Sequence, residues 1–433
     1  MSAPLIGLCL IGLLFLLLFL RVPIWIGLLV AGLLGNVILN NLGVALSVTG
    51  SNMFDSASNY GLSVVPLFVL MGDVASGSRL SSELFKAARV IMSGVRGGLA
   101  LAAIGASGAF GAVCGSSVAT AATMTRIAIP EMRKANYEDG FAASSVAAGG
   151  SLGILIPPSI ILVIYGAIAE QSVQTLFAAA FIPGIVLLLL YILVALWIAN
   201  RNPEKAPADP SVSFIERLKA LKEPWQFLVL FIVTIGGIYA GVFSPNEAAG
   251  IGAFGAIALG FLGRRLTFTQ LVQCFRTSVI TSCALFAIVI AANLFSNFVV
   301  QTRLPELLLN AAHAAGFAPW AIMVSIIAIY IVLGCFLEGI GMVLITVPVF
   351  LPVVTGYGYS PVWFSIIVVI VVELGLIHPP VGMNLFVIQA QLPDVSIGQM
   401  YRGILPFLLA PFALILLLFL FPQLALWLPS VLY

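Results

Sequence analysis

Charge is scarce in this sequence. Only 8% of its 433 residues are Asp, Glu, Lys or Arg, whereas 61% are hydrophobic. Soluble domains carry about 25% charged residues, so this composition excludes the soluble globular classes. The formal net charge of +2 is spread over many loops, which provides no basic arm for nucleic acid.

Histidine and paired cysteine are also lacking. The only histidines are His313 and His378, so a zinc or haem enzyme is not expected. The five cysteines lie in apolar surroundings without a CxxC pair, which argues against disulfides and metal sites. Neither HExxH nor GxSxG occurs, so a membrane-embedded enzyme has no support. We therefore expect no enzymatic activity and no cofactor.

Long apolar runs are abundant, and they recur from residue 3 to residue 432. Runs such as residues 186–198 are continuously apolar. Membrane β-strands alternate instead, so these runs predict transmembrane helices. The first run lacks a basic segment before it, since Arg21 follows it. We interpret it as an uncleaved first span and not as a signal peptide. The fold class is an all-α polytopic membrane protein.

The chain repeats itself on either side of a polar linker at residues 200–223. LGILIPP at 152–158 matches LGLIHPP at 374–380, an offset of 222 residues. Pro130 and Pro352 have the same offset, so nothing is inserted between the two landmarks. The sequence therefore predicts an internal duplication.

We expect the same order of elements in each half. The first repeat, residues 1–199, comprises scaffold spans within 3–78 (3–20, 23–40 and 60–78), an arm at 79–96, a re-entrant hairpin at 97–132 interrupted at 105–117, a broken helix at 138–170 and a span at 173–198. The second repeat, residues 224–433, comprises spans within 225–300 (225–243, 246–262 and 278–300), a hairpin at 319–354, a broken helix at 360–391 and a span at 400–430.

Five crossings per half is an odd number, so the two repeats would lie inverted in the membrane. Threading the chain in this way places all but one of the 18 Lys and Arg residues on one side; the exception is Arg303. Cytoplasmic loops collect Lys and Arg, so we expect a cytoplasmic linker and periplasmic termini. One span fewer in the first half would make the halves parallel and worsen the charge distribution.

Inverted repeats with helices broken at mid-membrane are typical of secondary transporters. A break frees N–H groups at one new helix end and C=O groups at the other. Such groups must line a cavity or bind a ligand. Carbonyl ends suit Na⁺, and amide ends suit an anionic substrate.

The candidate Na⁺- and substrate-binding residues fall in four segments. The first hairpin contributes Ser107, Gly108, Gly111, Gly115, Ser116, Ser117 and Thr120. The first broken helix contributes Gly150, Ser151, Gly153, Pro157, Pro158 and Ser159. The second hairpin contributes Gly334, Glu338, Gly339 and Thr346. The second broken helix contributes Glu373, Gly375, His378, Pro379, Pro380, Gly382 and Asn384. The alternative for the small residues is close helix packing.

Two candidates are intramembrane carboxylates, Glu338 and Glu373. At the repeat offset they replace Ser116 and Ser151. Charged groups at this depth are functional by default. The alternative is a structural acid that accepts hydrogen bonds from free amides of the opposite break. His378 either responds to pH or caps a helix end. No lysine or arginine is left for the mid-membrane site in this scheme.

The sequence resembles the large membrane subunit of the tripartite ATP-independent periplasmic (TRAP) transporters along essentially its whole length. The stretches that carry the resemblance are PLFVLMG at 66–72, GSSVATAATM at 115–124, IPEM at 129–132, GILIPPS at 153–159, FLEG at 336–339, ELGLI at 373–377 and PPVGMNLF at 379–386.

The resemblance implies an elevator mechanism, in which the hairpins and broken helices slide against the outer spans. It also implies Na⁺-coupled uptake at the bacterial inner membrane, a small four-helix membrane subunit and a periplasmic solute-binding protein. Typical substrates are C4-dicarboxylates, sialic acid and other organic acids. The small subunit is fused to the large one in some members, and here we expect a separate one. Members usually have Thr in place of His378, which leaves the chemistry at that position open.

Alternative functions remain at this stage. A stand-alone Na⁺/carboxylate symporter would share this architecture but need no binding protein. A channel would show no saturable uphill uptake.

Overall fold

The chain is built from helices. The computed structural model describes residues 2–78 and 80–433, and within them the only extended pairing is an isolated bridge between Arg96 and Ala208. The prediction of an all-α protein is confirmed.

Several of these helices can cross a membrane. Those long and apolar enough to do so lie in Tyr60–Gly77, Val173–Arg201, Phe268–Gln301, Gly339–Gly356 and Ile397–Leu420, and the bent pair Phe214–Ala220 and Trp225–Tyr239 adds a sixth candidate within the described residues. Shorter apolar helices lie between them. The chain is therefore a multi-pass membrane protein.

The first half contains ten helices among its described residues. They are α1 (Ala3–Phe19), α2 (Ile24–Leu39), α3 (Leu42–Ser58), α4 (Val64–Gly77), α5 (Leu80–Ile91), α6 (Gly98–Cys114), α7 (Ser117–Lys134), α8 (Asp139–Ser151), α9 (Ile160–Ala169) and α10 (Val173–Arg201). Short 3₁₀ turns at Tyr60–Ser63 and Leu152–Ile154 precede α4 and follow α8.

The second half begins after the linker. Its helices are α11 (Phe214–Ala220), α12 (Trp225–Phe231), α13 (Gly237–Tyr239), α14 (Pro245–Leu262), α15 (Phe268–Gln301), α16 (Leu304–Ala314), α17 (Pro319–Gly334), α18 (Gly339–Gly356), α19 (Pro361–Ile377), α20 (Met383–Gln389), α21 (Ile397–Ile404), α22 (Leu409–Leu420) and α23 (Gln423–Leu432). A π-helical turn, Ile232–Gly236, joins α12 to α13, and a 3₁₀ turn, Leu405–Leu408, joins α21 to α22.

Helix bounds in the two halves follow the offset of 222 residues found in the sequence. Helix α7 begins at Ser117 and α18 at Gly339, while α8 begins at Asp139 and α19 at Pro361. The halves differ where α3 and α4 are separate but α15 is continuous over 34 residues. A break at Asn59 and the following 3₁₀ turn separate α3 from α4, whereas the second half has no helix breaker there.

Three sequence-based boundaries are wrong. Residues 42–58, left between two spans, form helix α3, whose N-terminus is capped by the Asn41 side chain at 2.9 Å from the Val44 amide. The span expected at 278–300 starts at Phe268. The span expected at 400–430 is interrupted at Pro422, because proline cannot continue the hydrogen bonding of α22.

The helices pack in two groups, which we call the outer group (α1, α2, α4, α14 and α15) and the hairpin group (α6–α9 and α17–α20). In the outer group α2 packs on α15 and α14 packs on α4. In the hairpin group α6 and α7 pack on α8, and α17 and α18 pack on α19. Contacts of α4 with α6 and of α15 with α18 join the two groups.

Candidate ion and substrate site

The first hairpin turns sharply after Cys114. Gly115, with φ +65°, caps α6, and Ser116 starts α7 by accepting a hydrogen bond from the Ala119 amide at 3.4 Å. A left-handed conformation of this kind favours glycine. The break is therefore limited to residues 115–116. The predicted interruption at 105–117 is too long, because Ser107, Gly108 and Gly111 lie inside α6.

The second hairpin is broken between Gly334 and Gly339. Glu338 is the last residue before α18 and its side chain is exposed. A carboxylate is favourable at the N-terminus of a helix, where unpaired amides create positive potential. Thr346 lies two turns further along α18. Its hydroxyl is 2.7 Å from the Met342 carbonyl and 2.5 Å from the Tyr330 hydroxyl, within the packing of α17 and α18.

The two broken helices share their geometry. After α8 the chain passes through a 3₁₀ turn and a cis Pro157–Pro158 bond, and Ser159 caps α9 at 3.3 Å from the Leu162 amide. After α19, His378 is extended and the Pro379–Pro380 bond is also cis. Gly382, with φ +63°, then precedes α20.

Glycines allow each hairpin to touch the break of its own half. A Cβ on Gly111 would lie 2.5 Å from the Gly153 Cα, and one on Gly375 would lie 2.8 Å from the Gly334 Cα. Glu373 and Gly375 belong to helix α19, so the second break starts later than residue 373. The sequence left packing and ligand binding open for these glycines, and the geometry shows packing.

Asn384 joins the two halves at the first hairpin tip. Its amide nitrogen donates to the Ser117 hydroxyl at 2.7 Å and lies 3.5 Å from the Ala147 carbonyl. Its Oδ1 atom is buried and has no hydrogen-bond partner among the described residues. The structure thus brings together two predicted site residues that are 267 positions apart.

Glu373 is completely buried near the first break. Neither of its carboxylate oxygens has a hydrogen-bond partner within residues 2–78 and 80–433, although the Leu155 amide approaches them. Ser151, its counterpart in the first repeat, is 3.1 Å from the Tyr191 hydroxyl, which lies close enough to Glu373 to interact electrostatically. A buried unpaired carboxylate is unfavourable unless a cation or proton joins it.

Other predicted hydroxyls differ in how well they are satisfied. Thr120 donates to the Ser116 carbonyl at 2.7 Å. The Ser107 hydroxyl is buried in α6 without a hydrogen-bond partner in the described chain. His378 lies 3.8 Å from the Cys335 sulfur, between the second hairpin tip and the second break. Unpaired oxygens thus occur on Ser107, Glu373 and Asn384.

Sequence reasoning missed Asp73, a third carboxylate in an apolar helix. It lies in α4 of the outer group and accepts a hydrogen bond from Ser278 of α15 at 2.7 Å. Close by, the hydroxyls of Ser76 in α4 and Thr123 in α7 are 3.2 Å apart. A single Asp within a span at 60–78 is a signal that could have identified this position.

A multidentate transition-metal site is not present in the described part of the chain, where no three His, Cys, Asp or Glu side chains come together. The groups available to a cation are hydroxyl, amide and carbonyl oxygens and isolated carboxylates. Oxygen ligands of this kind suit a hard cation such as Na⁺.

A family model decides the identity of the chain. The model described as "Tripartite ATP-independent periplasmic transporter, DctM component" matches residues 11–424. The chain belongs to this family. It is a TRAP transporter large subunit, as the sequence resemblance predicts.

Curated relatives of this TRAP subunit are transporter permeases. It is 34% identical over 379 residues to the C4-dicarboxylate TRAP transporter large permease protein DctM of Pseudomonas aeruginosa, covering 87% of this chain and 88% of that one. It is 30% identical over 417 residues to the sialic acid TRAP transporter large permease protein SiaM of Vibrio cholerae, covering 94% and 97%. Some relatives are longer: the chain covers 62% of the isethionate TRAP transporter permease protein DctMQ of Oleidesulfovibrio alaskensis.

Solved structures show a related fold at low sequence identity. The Alcanivorax borkumensis YdaH transporter superposes with a TM-score of 0.60 and 14% identity, over 90% of this chain and 88% of that one. Neisseria gonorrhoeae MtrF gives 0.59 and 17%, over 92% and 94%. These likenesses concern the fold alone.

Proposed function

We propose that this TRAP subunit imports small organic acids by Na⁺ symport, receiving them from a periplasmic binding protein and working with a small four-helix membrane subunit. The carrying observation is the buried, unpaired Glu373 carboxylate beside the first helix break. Family membership supports the tripartite assembly.

The inverted-repeat arrangement and the elevator mechanism are part of this proposal. Helix bounds that keep one offset support a duplication, and an odd number of crossings per half would invert one copy. The separate packing of the outer and hairpin groups supports a moving domain against a scaffold. In this mechanism the hairpin group carries Na⁺ and substrate across the membrane.

The proposed substrates are carboxylates such as C4-dicarboxylates and sialic acid, which are the substrates named for two relatives. The helix N-termini that face the breaks offer free amides to an anion. Serines that begin these helices add hydroxyl donors, namely Ser116 and Ser117 at α7 and Ser159 at α9. We assign Na⁺ to the oxygens of Ser107, Glu373 and Asn384 that are unpaired among the described residues.

Reconstitution tests this proposal directly. The subunit is placed in proteoliposomes with its small partner, and uptake of labelled succinate and sialic acid is measured with and without an inward Na⁺ gradient and the binding protein. We expect uptake that requires both. Uptake with Na⁺ but without the binding protein would make it a stand-alone symporter. Failure to take up either acid under any condition would contradict the proposed substrate class.

The proposed orientation predicts the side of the linker. Residues 200–223 are held near the hairpin group by Lys205, which pairs with Glu138 at 2.9 Å, and by Arg217, which donates to the Ser93 carbonyl at 2.8 Å. A Glu204→Cys variant should react with an impermeant thiol reagent only from the cytoplasm, because basic loops stay inside. Glu306→Cys, an exposed position near Arg303, is the matched control and should react only from the periplasm. The reverse pattern would refute the orientation.

A further inference from the structure

Arg126 is a cation within the first hairpin, in the middle of α7. Nine residues separate it from Ser117 at the tip and eight from Lys134 at the other end. At 1.5 Å per residue these separations are about 14 Å and about 12 Å. The scheme drawn from sequence left no lysine or arginine near the site. The structure places Arg126 one hairpin arm away from it.

This cation lacks a counter-charge. Arg126 is exposed, and no carboxylate of the described residues lies within ion-pair distance of it. Its Nε atom makes a long contact of 3.4 Å with the Ala122 carbonyl, one turn earlier. By contrast, Arg133 near the end of the same helix is paired with Asp139 and Asp394, both at 2.7 Å.

The face of α7 that carries Arg126 starts at the candidate site. Positions spaced by three or four residues share one helix face, and here they are Ser116, Ala119, Thr123, Arg126 and Pro130. Ser116 and Ala119 are partly exposed, and Arg126 and Pro130 are exposed. An accessible stripe therefore leads from the hairpin tip towards the basic end of the helix.

Both groups of helices border this stripe. Thr123 contacts Ser76 of outer helix α4, with 3.2 Å between the hydroxyls. On the other side Gln391, just after α20, donates to the Ala122 carbonyl at 3.2 Å. Arg126 follows one turn after these contacts. A charged side chain at this depth cannot face lipid without a large penalty, so the space beside it holds water or a polar ligand.

The second hairpin has no such charge. At the repeat offset Arg126 corresponds to Pro348, inside α18. In the inverted arrangement the stripe of α7 leads to the cytoplasm and that of α18 to the periplasm. The positive charge is therefore on the cytoplasmic route only.

From these observations we propose that the Arg126 guanidinium binds a carboxylate of the substrate as it moves between the hairpin tip and the cytoplasm. The inference rests on the proposed function, since it requires an anionic organic acid as cargo. A guanidinium offers paired donors that match a carboxylate, which an ammonium does not. The site at the tip and Arg126 would then act in succession during release.

Accessibility is tested first, in inside-out vesicles with an impermeant thiol reagent and mass analysis of the intact protein. Arg126→Cys should gain one adduct relative to the unmodified protein. Thr125→Cys is the matched control, because Thr125 is buried on another face of the same helix, and it should gain none. An unlabelled Arg126→Cys variant would overturn the inference, since the position would then face lipid.

Transport is tested in proteoliposomes by counterflow with succinate or sialic acid. For Arg126→Gln we expect the internal substrate concentration giving half-maximal counterflow to rise about tenfold or more, because a charge-assisted hydrogen bond is lost. Uptake from the periplasmic side should change much less. Arg126→Lys should show an intermediate rise, and Lys134→Gln, which removes a charge at the end of the same helix, should show none.

Each outcome is decisive. An unchanged internal concentration for Arg126→Gln, or an equal shift on both faces, would overturn the assignment. If Arg126→Gln fails to accumulate in the membrane, Arg126→Lys decides: an intermediate rise supports the assignment and unchanged behaviour overturns it. If the unmodified complex shows no Na⁺-driven uptake of either acid, the proposed function fails and this inference fails with it.

Discussion

Replacing Gly111 with alanine should abolish transport and lower the unfolding temperature, whereas the same change at Gly105 in the same helix should do neither. A Cβ at position 111 would lie 2.5 Å from the Gly153 Cα and 3.0 Å from the Gly153 nitrogen. Both are backbone atoms, so the clash can be relieved only by separating the first hairpin from the first break. Overpacking of this kind costs about 1–3 kcal/mol.

Gly105 is the matched control because a Cβ there meets no atom within 4 Å. Alanine in a helix interior is favoured over glycine by roughly 0.5–1 kcal/mol, so Gly105→Ala should be neutral or stabilising. The measurements are thermal unfolding of the purified protein and Na⁺-driven uptake at equal membrane abundance. Equal unfolding temperatures and equal uptake for the two variants would contradict the close contact between α6 and the first break.

The duplication and the position of each double proline could be predicted because proline acts locally. Proline lacks an N–H group wherever it occurs, so Pro157 and Pro379 mark the ends of helical hydrogen bonding without knowledge of the neighbours. A helix is regular enough that one offset, found at two landmarks, extended to the bounds of α7 and α18.

The exact extent of the hairpin breaks could not be predicted. Glycine and serine suit both an irregular turn and a tightly packed helix, and the sequence alone does not separate these uses. Gly111 lies in a helix because another glycine, Gly153, faces it. Helix α3 was missed for a related reason, since polar residues such as Asn52 and Asp55 dilute its apolar pattern.

Contacts between the halves also lay beyond sequence analysis. Asn384 and Ser117 were both predicted as site residues, but only the folded chain brings them to 2.7 Å. Asp73 needed no fold to be noticed, since it is an acid in an apolar helix. Its partner Ser278, from another helix, could be found only in the structure.

Replacing Glu373 with glutamine should reduce Na⁺-driven uptake about a hundredfold or more without lowering the stability of the protein in the absence of Na⁺. The side chain is completely buried and its two oxygens are unpaired among the described residues. Two unit charges 4 Å apart interact by about 4 kcal/mol under the screening typical of protein sites. Each ~1.4 kcal/mol lost corresponds to a tenfold loss of Na⁺ affinity.

Stability should respond in the opposite way to that expected for a structural acid. Glutamine keeps the shape of the side chain and removes a buried charge, so the unfolding temperature in KCl should stay the same or rise. NaCl should raise the unfolding temperature of the unmodified protein, because a ligand that binds only the folded state stabilises it, and this rise should vanish in Glu373→Gln. Glu138→Gln, at the exposed pair with Lys205, is the control and should keep both uptake and the Na⁺ response. A Glu373→Gln variant that is destabilised in KCl but keeps its response to Na⁺ would show that Glu373 supports the fold and binds no ion.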